Sequence, residues 1–347
     1  MWRIGDVMKR RRKFSKKRII FPLIILFVCF SVGYSAFETN VNLNAKGNIK
    51  EKSRVIQSFS KTSDNDFHNE FYKDKIISAT FTNSNVVPSN AVSKWDVSED
   101  KRGGVMSWIL DSTETGMYDL YIGAKNGVIG NSDSALLFAD FINLKSIDFD
   151  NNFDTSNVVS MKNMFMNCQN LTDIDLSSFN TESLIYMTGM FQMFDTKAQA
   201  DRGGKLKSII FGPNFNTSSV TNMSSLFYHC NSLEDVDISM FNTSKVTNMS
   251  GMFYQCSSLV SIDLSNFNTS NVTDMYAMFW RASSLTRLDL TSFDISKVSS
   301  TKKMFESTKS LTKICVSDKW NIQNVSNTAD MFLNSNISSV TTGKCDV

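Results

Sequence analysis

The stretch "SNFNTSNVTDMYAMFWRASSL" runs from Ser265 to Leu285, and "SMFNTSKVTNMSGMFYQCSSL" runs from Ser239 to Leu259, 26 residues earlier. The apolar letters of the two coincide. A Met-Phe anchor recurs at Met164-Phe165, Met190-Phe191, Leu226-Phe227, Met252-Phe253, Met278-Phe279, Met304-Phe305 and Met331-Phe332, at spacings of 26, 36, 26, 26, 26 and 27. A second anchor, Phe followed by Asn or Asp, falls at Phe153, Phe179, Phe215, Phe241, Phe267 and Phe293, with Trp320 in the last slot and the same spacings. Two anchors with one spacing series define seven repeats. A fixed period of this length signals stacked units, each covering its neighbour's open apolar face.

Each repeat carries two apolar rhythms. In "LVSIDLS" (Leu259–Ser265), Ile262 and Leu264 are two apart, so they face one side of a strand. In "VTDMYAMFWRA" (Val272–Ala282), Val272, Met275, Met278, Phe279 and Ala282 recur at steps of three and four, which predicts a short helix with one buried stripe. The expected fold class is therefore α/β: a solenoid with one strand and one short helix per 26-residue repeat and a parallel sheet of strands ~4.8 Å apart.

Upstream of the repeats the chain changes character. Residues 1–18 hold nine Lys or Arg against Asp6, so this segment is +8; with the whole chain at +2, the remainder is −6. A folded part with that balance lacks the basic excess a nucleic-acid binder needs. The basic run precedes "IIFPLIILFVCFSVGYSAF" (residues 19–37), which has no charge. That order predicts a transmembrane anchor or a signal peptide, with everything after it outside the cell. Residues 38–66 read as a stalk. Residues 67–140 read as a β-rich cap, with "VMSWIL" and "MYDLYIGA" as a hairpin around "DSTETG" and an aromatic group of Trp95, Trp108, Tyr118 and Tyr121. The repeats occupy 141–347. Most of a ten-residue insertion lies within 192–204, at a joint where it leaves the stack intact.

The repeat resembles the BspA-like leucine-rich-repeat surface proteins of bacteria, in the subtype found in Mycoplasma lipoproteins. The resemblance rests on L-x-x-[IV]-D-[LI]-S-x-F-[ND]-T-S-x-V-x-x-M-x-x-M-F-x-x-C and covers the chain from about Phe141 onward. The Cys of that pattern is kept at Cys168, Cys230 and Cys256; Phe194, Ala282, Thr308 and Ser335 replace it elsewhere. The resemblance implies a leucine-rich-repeat solenoid at the cell surface and an adhesion role, with a protein or glycan of a host, a neighbouring cell or the envelope as partner.

Stacking turns each repeat position into a column. The Phe and Met-Phe columns are core. The column Asp154, Asn180, Asn216, Asn242, Asn268, Asp294 and Asn321 is expected to be a ladder of buried amides bonding to loop backbone within and between repeats. Asp148, Asp175, Asp237, Asp263 and Asp289 sit between inward strand residues and therefore face outward, with Ile210 and Cys315 interrupting them. Flanking outward positions include Asp173, Asp235, Arg287 and Lys313, so this face turns from acidic to basic. Aligned carboxylates repel, and they need turn donors, solvent, a calcium ion or a cationic partner. These nine residues are the candidate partner-facing set.

Catalysis is not expected. His229 and Cys230 are adjacent, and nucleophilic catalysis needs a pair within hydrogen-bond reach plus a third orienting group; a His on a helix surface is the plainer reading. With two histidines and no Cys-x-x-Cys, the common zinc spacings are missing and no cofactor is expected. Two pairings are open: Cys230 with Cys256 in adjacent repeats, or Cys315 with Cys345, which would clamp the last unit. The expected function is binding through the repeat face. The alternative is a structural or self-associating envelope protein without a foreign ligand.

Overall fold

A computed structural model describes residues 41–43, 49–60, 63–194, 203–343 and 345. The segment 19–37, expected to be a transmembrane or signal segment, lies outside them. No helix among the described residues is long and apolar enough to cross a membrane. The described residues fall into two compact units that divide between Lys52 and Ser53. In the first, strand β1 (Val41–Leu43) pairs antiparallel with β2 (Ile49–Glu51).

The second unit opens with a one-turn helix, α1 (Glu70–Lys73), whose Asn69 side chain accepts the Phe71 N–H. A five-stranded sheet follows, built from β3 (Ile76–Thr82), β4 (Ser93–Asp96), β5 (Val105–Asp111), β6 (Tyr118–Ala124) and β8 (Ser146–Asp148) in the order β4-β5-β6-β3-β8. Strands β5 and β6 form the hairpin read from the sequence, with Trp108 opposite Tyr121 and their rings stacked at 5.7 Å. Strand β8 belongs to the first repeat and pairs in parallel with β3. A shorter pair, β7 (Val128–Ile129) and β9 (Phe153–Asp154), is also parallel.

Beyond β9 the expected α/β leucine-rich-repeat solenoid is corrected. Regular structure there is almost all β and falls into small sheets: β10 (Asp173–Leu176) with β11 (Ser208–Phe211), and β12 (Arg287–Leu290) with β13 (Lys313–Val316) and β14 (Thr341–Thr342). The one helical element described after β9 is a single 3-10 turn, Ile322–Asn324. The strand expected at Leu259–Ser265 is not formed. There the Asp237 charge bears on Asp263, and the Val260 N–H reaches the Glu234 carbonyl of the preceding repeat at 3.4 Å.

The segment expected to be a helix is a run of tight turns. Ala277 and Arg281 have φ of +52° and +56°, and their counterparts one repeat earlier, Gly251 and Gln255, have +60° and +58°. A left-handed residue every fourth position ends any α-helix. The N–H groups of Met249, Gly251, Phe253 and Gln255 donate to the carbonyls of Asp274, Tyr276, Met278 and Trp280 in the next repeat, at 2.6 to 3.0 Å. The intervening N–H groups of Met252, Tyr254 and Cys256 close turns onto residues three before them. A helix would have used these donors internally. Turns of three residues produce the same three-and-four apolar steps, so periodicity alone does not separate the two.

The core runs through all the repeats. Phe138, Phe165, Phe191, Phe227, Phe253, Phe279, Phe305 and Phe332 form one row of stacked rings, 5.5 to 5.9 Å apart with planes within 18° of parallel. The step that spans the insertion, Phe191 to Phe227, is as regular as the rest at 5.7 Å.

Polar links between repeats differ from expectation. The Asn column is not a buried ladder: Asn216, Asn242 and Asn268 are exposed, and each side-chain oxygen accepts the N–H two residues on in its own turn. The neighbouring threonines make the inter-repeat bonds instead. Thr243 is buried, donates to the Asn268 carbonyl at 3.0 Å and accepts the Asn268 N–H at 2.8 Å. Thr155, Thr217 and Thr269 repeat this pairing. A short β-branched hydroxyl reaches the next backbone from inside the stack; an Asn pointing outward reaches only its own loop. Thr243→Val keeps the shape but strands both backbone groups of residue 268. The expected loss is about 1–3 kcal/mol, read from the denaturation midpoint.

Cys315 and Cys345 are bonded, with Cα atoms 5.4 Å apart. Cys230 and Cys256 are separate, buried thiols. Each donates to a carbonyl one repeat back, Phe191 at 3.3 Å and Phe227 at 3.1 Å, as Cys168 does to Phe138.

Candidate functional site

Asp148, Asp173, Asp175, Asp235, Asp237, Asp263, Arg287 and Asp289 are all exposed, and Lys313 is half-buried. Strand alternation accounts for this: Ile174 and Leu176 turn inward between Asp173 and Asp175, as Leu288 and Leu290 do around Asp289. Asp175 lies beside Ile210, and Asp289 beside Cys315, so the acidic row is interrupted where expected. Arg287 lies directly beside Lys313 in adjacent parallel strands. Among the described residues none of these nine side chains forms a salt bridge.

Each carboxylate of the central column uses one oxygen to close its own turn. Asp175 accepts the Ser177 N–H at 2.8 Å, Asp237 that of Ser239, Asp263 that of Ser265, and Asp289 that of Thr291, the last three at 2.9 Å. Hydrogen bonds from the Ser239 hydroxyl and N–H hold Asp237 below the usual carboxylate range. The Ser265 N–H and hydroxyl do the same for Asp263, against an opposing push from the Asp237 charge. No group of three or more His, Cys, Asp or Glu side chains among the described residues could hold a metal ion, so the row offers no calcium cage of that kind.

A second surface was not singled out from the sequence. The residue after each Met-Phe pair is Tyr228, Tyr254 and Trp280 in three successive repeats, with ring centroids 4.2 Å apart at each step, the first pair stacked and the second tilted by 37°. His229 is not on a helix surface. It is buried, has φ of +60°, and stacks on Tyr228 at 4.7 Å. The Arg281 guanidinium covers Trp280 at 4.4 Å. Burial raises the hydroxyl pKa of Tyr228 and of Tyr254, so both stay neutral. Beside this ladder runs a polar groove of about 610 Å³, lined by residues that include Gln255, Ser257, Arg281, Ser283, Ser307 and Lys309. The signal that could have found it was in the columns: aromatic and cationic residues vary there while the flanking frame does not.

His229 and Cys230 do not form a catalytic pair. Burial pushes the Cys230 thiol far above its ordinary value, and it is engaged with the Phe191 carbonyl.

A family model described as Mycoplasma protein of unknown function, DUF285, matches residues 137–209, 193–318 and 237–343, which together cover more than half the chain. No curated protein and no solved structure gives a significant match.

Proposed function

The chain belongs to the DUF285 family of Mycoplasma proteins of unknown function, and from that premise we propose that it is a non-enzymatic binding protein displayed outside the cell. The repeat array presents its exposed strand face to a macromolecular partner, in the manner of the BspA-like surface proteins that the repeat resembles. What supports this is the uncompensated charge on that face: Asp235, Asp237 and Asp263 toward one end, Arg287 and Lys313 toward the other. A carboxylate row that forms no salt bridge among the described residues is stabilised by a partner that brings cations to it. The Cys315–Cys345 bond supports an exterior location, because disulfides persist in oxidising surroundings.

The test uses the full chain, immobilised and exposed to matrix proteins, mucins, glycans and envelope fractions, with and without calcium. Saturable, salt-sensitive capture is expected, and Asp237→Ser, Asp263→Ser and Asp289→Ser together abolish it. The same binding holds from pH 7 to pH 5, because the carboxyls of Asp237 and Asp263 lie below their ordinary 3.8. A depressed carboxyl keeps its charge above that value and loses it as pH falls through the folded one. Capture that is unchanged in the triple variant overturns the assignment to this face.

One observation favours the alternative of a self-associating structural protein. Ile322 and Leu333 are exposed in the last repeat. Concentration-dependent assembly, abolished by Leu333→Asp, would mark that reading.

A further inference from the structure

The polar groove beside the aromatic ladder has the chemistry of a ligand site, and its position is independent of the acidic row. Arg281 and Lys309 are both exposed, no carboxylate lines the groove, and neither cation has a salt bridge among the described residues. Glu306 attracts Arg281 electrostatically, but it is buried, pairs with Lys303 at 2.9 Å and does not line the groove. Stacking on Trp280 holds the Arg281 guanidinium in place before any ligand arrives.

The remaining lining is short and hydroxylic. Ser257 and Ser283 donate along the stack to the carbonyls of Asn231 and Ser257, at 3.3 and 3.4 Å. Each hydroxyl oxygen keeps a lone pair for an incoming donor. The groove thus presents acceptors at the spacing of successive repeats, with one cation, Arg281, held on Trp280 and a second, Lys309, exposed beside it. It has no apolar hollow for the side chains of a peptide. A ligand that matches carries many hydroxyl donors and one or more acidic groups along an extended chain. We infer that this groove binds an acidic oligosaccharide, its carboxylate or sulfate held by Arg281 and Lys309 and its hydroxyls by Ser257 and Ser283. The inference deepens the proposed binding function and rests on it, but names a different face.

The experiment titrates the full chain with a hyaluronan hexasaccharide (carboxylate only), a heparin hexasaccharide (sulfate and carboxylate), neutral maltohexaose and a glutamate oligomer. Saturable binding of either acidic saccharide is expected, weakening with added salt. Arg281→Ala with Lys309→Ala weakens it at least tenfold; Arg281→Lys with Lys309→Arg retains most of it. Binding of hyaluronan assigns the carboxylate, and binding of heparin alone assigns the sulfate. Equal binding of maltohexaose, tighter binding of the glutamate oligomer, no loss in the double alanine variant, or no saccharide binding at all each overturns the inference. If every saccharide fails while another partner is captured through the acidic row, the proposed function stands and this site falls.

Discussion

Phe253→Ala lowers the unfolding free energy by about 3–5 kcal/mol, read as a shift in the denaturation midpoint. The side chain is fully buried, with Phe227 and Phe279 each stacked on it at 5.5 Å. Removing the ring deletes its transfer free energy and leaves a cavity between two rings. Those rings cannot close together, because their own repeats are pinned by backbone bonds. The N–H of Phe227 donates to Met252 and that of Phe253 to Met278, so the spacing of the turns is set by the backbone and not by the rings. Phe253→Leu refills part of the space and restores much of the loss. A cost below about 1 kcal/mol for the alanine variant would mean that the row adapts, which is contrary to a core packed at near-crystal density. In stacked repeats a defect also weakens coupling to both neighbours. A broadened transition accompanies the lower midpoint.

Cys345→Ser lowers stability by roughly 3.5 kcal/mol, the chain-entropy value for a loop of this size; the bond joins residues separated by 30 positions. Cys315 lies on β13, and the same loop returns through β14, which pairs Thr341 with Cys315. The bond therefore tethers the segment that carries β14 to the strand it pairs with. Equilibrium unfolding with and without reductant checks the effect. Reductant is expected to lower the wild-type midpoint to that of Cys345→Ser and to leave the variant unmoved. Cys230 and Cys256 are not alternatives: each thiol is buried, and burial raises its pKa well above the ordinary value, which makes it a poor exchange nucleophile. A variant as stable as the wild type would show that the β13–β14 pairing holds the end alone.

The site was partly legible before the structure. Outward placement of Asp175, Asp237, Asp263 and Asp289 followed from a period of two, and the interruptions at Ile210 and Cys315 followed from the alignment of repeats. The groove was not legible. It lies in two neighbouring columns, Gln255, Arg281, Ser307 and Asn334 in one and Asn231, Ser257, Ser283 and Lys309 in the other. Their residues change type from repeat to repeat, so the pattern that marks the core says nothing of them, and only stacked repeats bring the two columns to one opening. His229 was misplaced for a related reason: a helix would have put it outside, whereas a left-handed residue between stacked rings is covered.

The sequence by itself determined the period, the repeat boundaries, the buried Phe and Met columns and the outward Asp column. Each of these depends only on spacing and polarity. What each turn does with its backbone was decided by tertiary structure. Apolar steps of three and four suit a helix and a chain of tight turns equally. The choice is made by where the N–H groups find carbonyls. Here Met249, Gly251, Phe253 and Gln255 find them in the next repeat, an arrangement that exists only once two repeats are side by side. The threonine ladder has the same origin. Thr243 reads as one more polar residue of a loop until Asn268 is stacked against it, and then its single hydroxyl satisfies both backbone groups of its neighbour.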